Sequence, residues 1–219
     1  MASETIWHYT GLPTVVIDAI EEDLQWNFDA QLQPSRVGHK TAERNEGNYE
    51  NKSVRNAQNA WVPTTHWLGG FCWHYVMRAN RENFGYDLSH VHDESLQYTV
   101  YEGGEYYGWH TDADLGSSYT PIGNFQKTHL NTVEQLQTDE FLRNSEMVRK
   151  LSFSLLLSDP DTYQGGNFEF KGVNEKVWLA PRHRGTIILF DSRTKHRVTK
   201  VTKGVRKSIV GWVVGPRWR

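Results

Sequence analysis

Cysteine is almost missing from this chain: Cys72 is the single one in 219 residues, so no disulfide can close within it. That scarcity suits a reducing compartment, and the expected location is cytoplasmic. No apolar run approaches the ~20 residues that a bilayer span needs. Met1-Ala2-Ser3-Glu4-Thr5-Ile6 has neither the basic region nor the apolar stretch of a signal peptide. Charge of one sign is lacking too. A formal net charge of −2 gives no long-range pull toward nucleic acid or an anionic membrane, and neither is expected as a partner. Repeats and low-complexity tracts are absent, and the length fits one domain with a sizeable core. What the chain has in plenty is rings: nine Trp, ten Tyr and nine Phe. Most such residues fill cores, and a minority can line a groove.

The first expected helix follows Pro13, with Val15, Val16, Ala19, Ile20 and Leu24 on one face and Glu21, Glu22 and Asp23 on the other. A second runs from near Thr64 to Asn83, where Trp67, Leu68, Phe71, Cys72, Tyr75, Val76 and Ala79 form a wide apolar face. Cys72 on that face reads as a packing residue rather than a nucleophile. Between them, the polar stretch Pro34 to Asn59 reads as a surface loop and a candidate lid.

From about Ser95 the texture changes to short β-rich runs. They are Gln97–Tyr101, Leu151–Leu157, Asn167–Phe170, Lys176–Leu179, Thr186–Phe190 and Ser208–Val214, separated by Gly and Asp clusters. Short strands without intervening helices predict a mainly β, antiparallel sandwich or jelly roll with the earlier helices packed outside. Residues 1–94 then form a helical N-terminal support, and 95–219 a core interrupted by an insertion at 113–150. The second part of that insertion, 133–148, reads as helical, with Thr138 and Asp139 as candidate caps.

The chemistry concentrates in His110-Thr111-Asp112, answered downstream by His196 and, ten residues further on, by Arg206. A strand turns residues i and i+2 to one face, so His110 and Asp112 can bind one metal from a single strand end. His196 follows a strand end and turn, and can reach the same point from a neighbouring strand. Two imidazoles and one carboxylate on one face, with the opposite face open, is the ligand pattern of non-haem Fe(II) oxygenases. A His-x-Asp alone is common by chance; the weight lies in the joint pattern. Arg206 offers the planar fork that grips a carboxylate, with Ser208 on the same strand face and Lys207 turned away.

The run Leu96-Gln97-Tyr98-Thr99-Val100-Tyr101 through Gly103-Gly104, Tyr107 and His110-Thr111-Asp112 resembles the first-ligand strand pair of the prolyl 4-hydroxylase branch of Fe(II)/2-oxoglutarate dioxygenases. The segment His196 to Arg206 is similar to that family's second-histidine strand, which ends in a basic residue ten positions on. Leu151 to Phe170, with Ser158-Asp159-Pro160-Asp161 and Gly165-Gly166, resembles especially the bacterial hydroxylases associated with iron uptake. The resemblance covers roughly residues 95–215 and rests on several elements occurring in order.

It implies a double-stranded β-helix, with His110, Asp112 and His196 as iron ligands. Arg206 would bind the distal carboxylate of 2-oxoglutarate, where many prolyl 4-hydroxylases use lysine. Tyr101 matches the tyrosine that helps hold this cosubstrate, while Tyr107 and Trp212 match positions near the substrate groove. The implied cofactors are Fe(II), 2-oxoglutarate and O₂, with ascorbate as a reductant. The implied substrate is a peptide or protein proline, with a small molecule or free amino acid as the alternative. From the residues alone, a zinc hydrolase and a non-catalytic jelly-roll binding module stay open. The sequence does not specify the oligomeric state.

Overall fold

The computed structural model describes residues 5–37, 50–113, 147–172 and 175–218. In chain order these form β1 (Ile6–Tyr9), α1 (Thr14–Phe28), β2 (Gln33–Pro34), β3 (Arg55–Asn56), β4 (Gln58–Pro63), α2 (Trp67–Ala79), β5 (His90–Val91), β6 (Ser95–Tyr101) and β7 (Tyr106–His110). Beyond the insertion come β8 (Met147–Leu156), β9 (Gln164–Gly165), β10 (Phe168–Lys171) and β11 (Val177–Leu179). Then follow β12 (Ile187–Asp191), β13 (Lys195–Val198), β14 (Val201–Lys203) and β15 (Arg206–Pro216). The larger sheet has the order β1-β12-β8-β15-β6-β4-β2, with β5 also on β15; the smaller is β11-β10-β13-β7-β3. This is the mainly β jelly-roll arrangement that the short strands predicted, with both helices flanking it.

Strand periodicity sorts the chemistry. In β15, Arg206, Ser208, Val210 and Trp212 face a cleft between the sheets, while Ile209 and Val213 enter the core beneath the helices. Its neighbour β6 repeats the division: Gln97 and Tyr101 face the cleft, and Leu96, Tyr98 and Val100 the helical side. The resulting core is one contiguous cluster in which Ile17, Ile20, Leu24, Leu68 and Cys72 pack with Leu151, Leu155, Leu189 and Ile209.

α1 starts where Pro13 offers its carbonyl to the amides of Val16 and Ile17, at 3.0 and 3.4 Å. Its buried residues are Ile17, Ile20, Leu24 and Phe28. The face read from sequence is therefore rotated: Val15 is 71% exposed, and Ala19 also faces solvent. The stripe from Ile17 runs on to Phe28, so it buries more apolar surface than one beginning at Val15. Arg184 fastens the helix to the sheet, donating to Asp18 at 2.6 Å and also to Glu21.

α2 lies inside the expected range and continues as one π-helical turn, Asn80–Phe84, which ends at Gly85 with φ 64°. Left-handed backbone of that kind favours glycine. Cys72 is fully buried beside Leu68 and Val76, and burial pushes its thiol up to about 12. It packs and does not react.

The stretch 34–59 is not simply a surface loop. Pro34 lies in β2, Arg55–Asn56 form β3, and Gln58 and Asn59 open β4, paired along β6 and β7. Polar side chains do not prevent this, because an edge strand is recruited by its partner's free backbone groups. Residues 38–49 and 114–146 lie outside the described residues, and with them part of the expected lid and most of the helix expected at 133–148. Met147 and Val148, read as part of that helix, instead begin β8. Among the described residues, the segment before β6 thus supplies five strands as well as α1 and α2. No helix among the described residues is long and apolar enough to cross a membrane.

Candidate active site

β7 and β13 are neighbours in the smaller sheet, and their register sets His110 directly opposite His196. Asp112 lies just past the end of β7. Its backbone amide and that of Ala113 donate to the Ser192 carbonyl at 2.9 and 3.0 Å, so the turn after β12 pins the carboxylate. Nε2 of His110 is 3.7 Å from one Asp112 oxygen, and Nε2 of His196 is 3.4 Å from the other. One donor atom from each residue lies within 4.8 Å of the other two. Metal–ligand bonds of about 2.0–2.2 Å bring donors to about this spacing around a single ion.

The imidazoles are aimed by the backbone. Nδ1 of His110 lies 2.8 Å from the Gly108 carbonyl, and Nδ1 of His196 lies 2.9 Å from that of Thr194. A carbonyl only accepts, so each Nδ1 carries the proton and each Nε2 keeps its lone pair. Burial, reinforced by His196, pushes His110 down to about 3. Burial opposes charge on Asp112, but His196, His110, Arg149 and the Ser152 hydroxyl outweigh it and hold the carboxyl below the usual range.

This has a consequence for acid stability. An unfolded histidine takes its proton near pH 6.5, whereas folded His110 does so only near pH 3. Between those values the unfolded chain binds more protons, so stability falls as the pH drops. The thermal midpoint of metal-free protein should descend from about pH 6.5 toward about pH 4. His110→Gln should flatten that slope; equal slopes in both proteins would contradict the burial of a neutral His110.

Around the triad opens a cleft between the two sheets. Tyr107 stacks on His110 with ring centres 3.5 Å apart, and the Arg55 guanidinium lies 4.7 Å from the Tyr107 ring centre. Arg206 is 3% exposed and pairs in register with Tyr101, whose ring centre is 5.6 Å from the guanidinium. Its Nη1 donates to Ser208 Oγ at 3.2 Å, and its Nε has no partner. Burial lowers the Arg206 pKa against the opposing pull of Tyr163 and Tyr101. Among the described residues no carboxylate pairs with it. Lys207 points the other way, 3.9 Å from Glu21.

All seven residues singled out from the sequence line this one cleft: His110, Asp112, His196, Arg206, Tyr101, Tyr107 and Trp212. Two further arginines were not singled out. Arg55 enters from β3. Arg149 donates to the Asp112 carbonyl at 3.2 Å and lies over Trp212 at 4.5 Å. Arg55 fell inside the stretch read as a surface loop, and Arg149 inside the insertion at 113–150.

The family model for the 2OG-Fe(II) oxygenase superfamily matches residues 96–214, the span that holds the whole triad and Arg206. The chain belongs to that superfamily. Membership implies Fe(II), 2-oxoglutarate and O₂ as the reacting partners. Among curated relatives, this 2OG-Fe(II) oxygenase superfamily member is 45% identical over 64 residues to a PKHD-type hydroxylase of Synechococcus elongatus. That match covers 29% of this chain and 28% of the relative; the first relatives are all matched over less than half of their length. A Pseudomonas putida prolyl-4-hydroxylase shares the fold with TM-score 0.65 at 15% identity, over 100% of this chain and 95% of that one. A Trichoplax adhaerens prolyl hydroxylase, solved with a hypoxia inducible factor peptide fragment, does so with TM-score 0.62 at 15% identity, over 95% and 83%.

Proposed function

We propose that this chain is a single Fe(II)- and 2-oxoglutarate-dependent hydroxylase domain, prolyl 4-hydroxylase-like and acting on a peptidyl proline. One observation carries the reading: a His-Asp-His cluster shares its cleft with a buried arginine that no acidic side chain among the described residues neutralises. The donor set suits Fe(II), since two neutral imidazoles and one carboxylate leave an open face. A buried guanidinium without a counter-ion is unfavourable until an anion arrives, and the distal carboxylate of 2-oxoglutarate is such an anion. His110, Asp112 and His196 are thus the iron ligands, and Arg206 with Tyr101 holds the cosubstrate.

When bound there, Fe(II), 2-oxoglutarate and O₂ supply hydroxylation of an unactivated C–H bond, coupled to oxidation of 2-oxoglutarate to succinate and CO₂. The protein's own part is positioning. The Nδ1–carbonyl contacts hold both imidazoles in one tautomer. Phe168, Phe190 and Val198 line the cleft with apolar surface that excludes water. Tyr107 and Trp212 flank the space left for substrate.

The PKHD-type hydroxylase relatives and the peptide in the Trichoplax structure support a peptide substrate. A small molecule or free amino acid, with the same cofactors, is the other substrate class. A zinc hydrolase would need a base beside the metal, yet Asp112 is the one carboxylate in the described lining of the cleft. A non-catalytic binding module has no use for three aimed ligands. Ascorbate would serve to keep the iron reduced, and a lone buried cysteine suits the cytoplasm. The test is aerobic turnover with Fe(II), ascorbate and 2-oxoglutarate, measuring succinate with and without proline-rich peptides. Peptide-stimulated succinate is the expected result. Stimulation by non-peptide substrates alone would overturn the prolyl reading and leave the oxygenase reading standing.

A further inference from the structure

A second buried cation faces the same cleft. Arg55 is 6% exposed; one guanidinium nitrogen donates to the Asn59 side chain at 3.2 Å, and its Nε has no partner. No carboxylate among the described residues pairs with it. It lies over the Tyr107 ring, which also stacks on His110. Tyr107 thus touches both this guanidinium and an imidazole of the triad.

A charge count of the cleft shows what is missing. Its described lining holds two guanidinium groups, Arg55 and Arg206, one carboxylate, Asp112, and two histidines that are neutral as ligands. Fe(II) is a dication and 2-oxoglutarate a dianion, so together they leave this sum unchanged. Asp112 belongs to the metal and the distal carboxylate of 2-oxoglutarate to Arg206, so Arg55 is left without a counter-ion among the described residues. A neutral prolyl amide would bury that charge without a counter-ion, an unfavourable arrangement in a cleft walled by rings.

We infer that the substrate carries a carboxylate close to the carbon to be hydroxylated, and that Arg55, which itself lines the cleft, recognises it. The inference rests on the hydroxylase reading above and narrows its substrate to an acid. That acid is a small carboxylic acid or the side chain of an acidic residue beside the target proline. With 2-oxoglutarate at Arg206 and substrate at Arg55, the two carboxylates use separate guanidinium groups of the cleft and do not compete for one fork.

The test is equilibrium binding, read by quenching of tryptophan fluorescence, since Trp212 lines the cleft. The protein is loaded with Fe(II) and 2-oxoglutarate without oxygen. Two matched pairs serve as probes: N-acetyl-L-proline against N-acetyl-L-prolinamide, and acetyl-Ala-Pro-Asp-amide against acetyl-Ala-Pro-Asn-amide. The acid of at least one pair should bind about 10- to 100-fold tighter than its neutral partner, as a charge-assisted fork provides. The pair that discriminates identifies the source of the carboxylate. Arg55→Gln should abolish the preference, and Arg55→Lys should keep only part of it. Equal affinities within both pairs, or no binding by either acid, overturn the inference in the wild-type protein alone, whatever the variants do to folding. Binding of 2-oxoglutarate to the Fe(II)-loaded protein is measured alongside by the same quenching. Its absence would sink the hydroxylase reading itself, whereas its presence with no acid preference would sink only the inference.

Discussion

Asp112→Ala should lower succinate release by about three orders of magnitude or more and take Fe(II) affinity down with it. Loss of a group that only hydrogen-bonds a metal ligand costs about 10–100-fold in such sites, and Asp112 is the only anionic member of the triad. Its loop should stay in place, because the contacts to Ser192 come from the backbone amides of Asp112 and Ala113 rather than from the side chain. The loss would therefore be chemical, and circular dichroism should show an intact fold. Succinate assays paired with Fe(II) competition titrations check both halves. A variant that releases succinate at the full rate would remove Asp112 from the metal site.

Arg206→Met should act in two opposite directions. The KM for 2-oxoglutarate should rise by about two to three orders of magnitude, in line with the ~2–5 kcal/mol lost when one partner of a buried charge pair is truncated. The ligand-free protein should become more stable, because a thioether of similar length replaces a buried cation that lacks a counter-ion. Calorimetry separates the two effects. Wild type should gain roughly 5–10 °C from 2-oxoglutarate at about a hundred times its dissociation constant. The variant should start higher and gain almost nothing. An unchanged KM would exclude Arg206 from the cosubstrate site.

Much of this site could be read from the sequence because β-structure writes itself at a period of two. His110 and Asp112, and again Arg206, Ser208 and Trp212, are spaced so that they share a face, and the structure turns each set into one cleft. The strand runs of β6, β8, β12 and β15 were visible for the same reason: alternate residues are apolar and enter the core beneath the helices. Arg55 was hidden because β3 spans two residues and carries no apolar pattern; its existence depends on the exposed edge of β7. Arg149 was hidden because the start of β8 lies against a long polar insertion that masks where the strand begins. The face of α1 was misjudged by one step, since Val15 and Ile17 are equally apolar and only packing against the sheet chooses between them.

The pairing of β1 with β12 also bears on how the molecule comes into being. Tyr9 bonds in register with Ile187, and Ile6 with Phe190. At ribosomal rates of about 5–20 residues per second, the partner of β1 is made roughly 10–40 seconds after β1 itself. During that interval Trp7 and Tyr9 travel on a strand with no sheet to join. β1 is thus made long before it can be seated, and a nascent chain stalled between β1 and β12 exposes an aromatic β-segment that other nascent chains can capture.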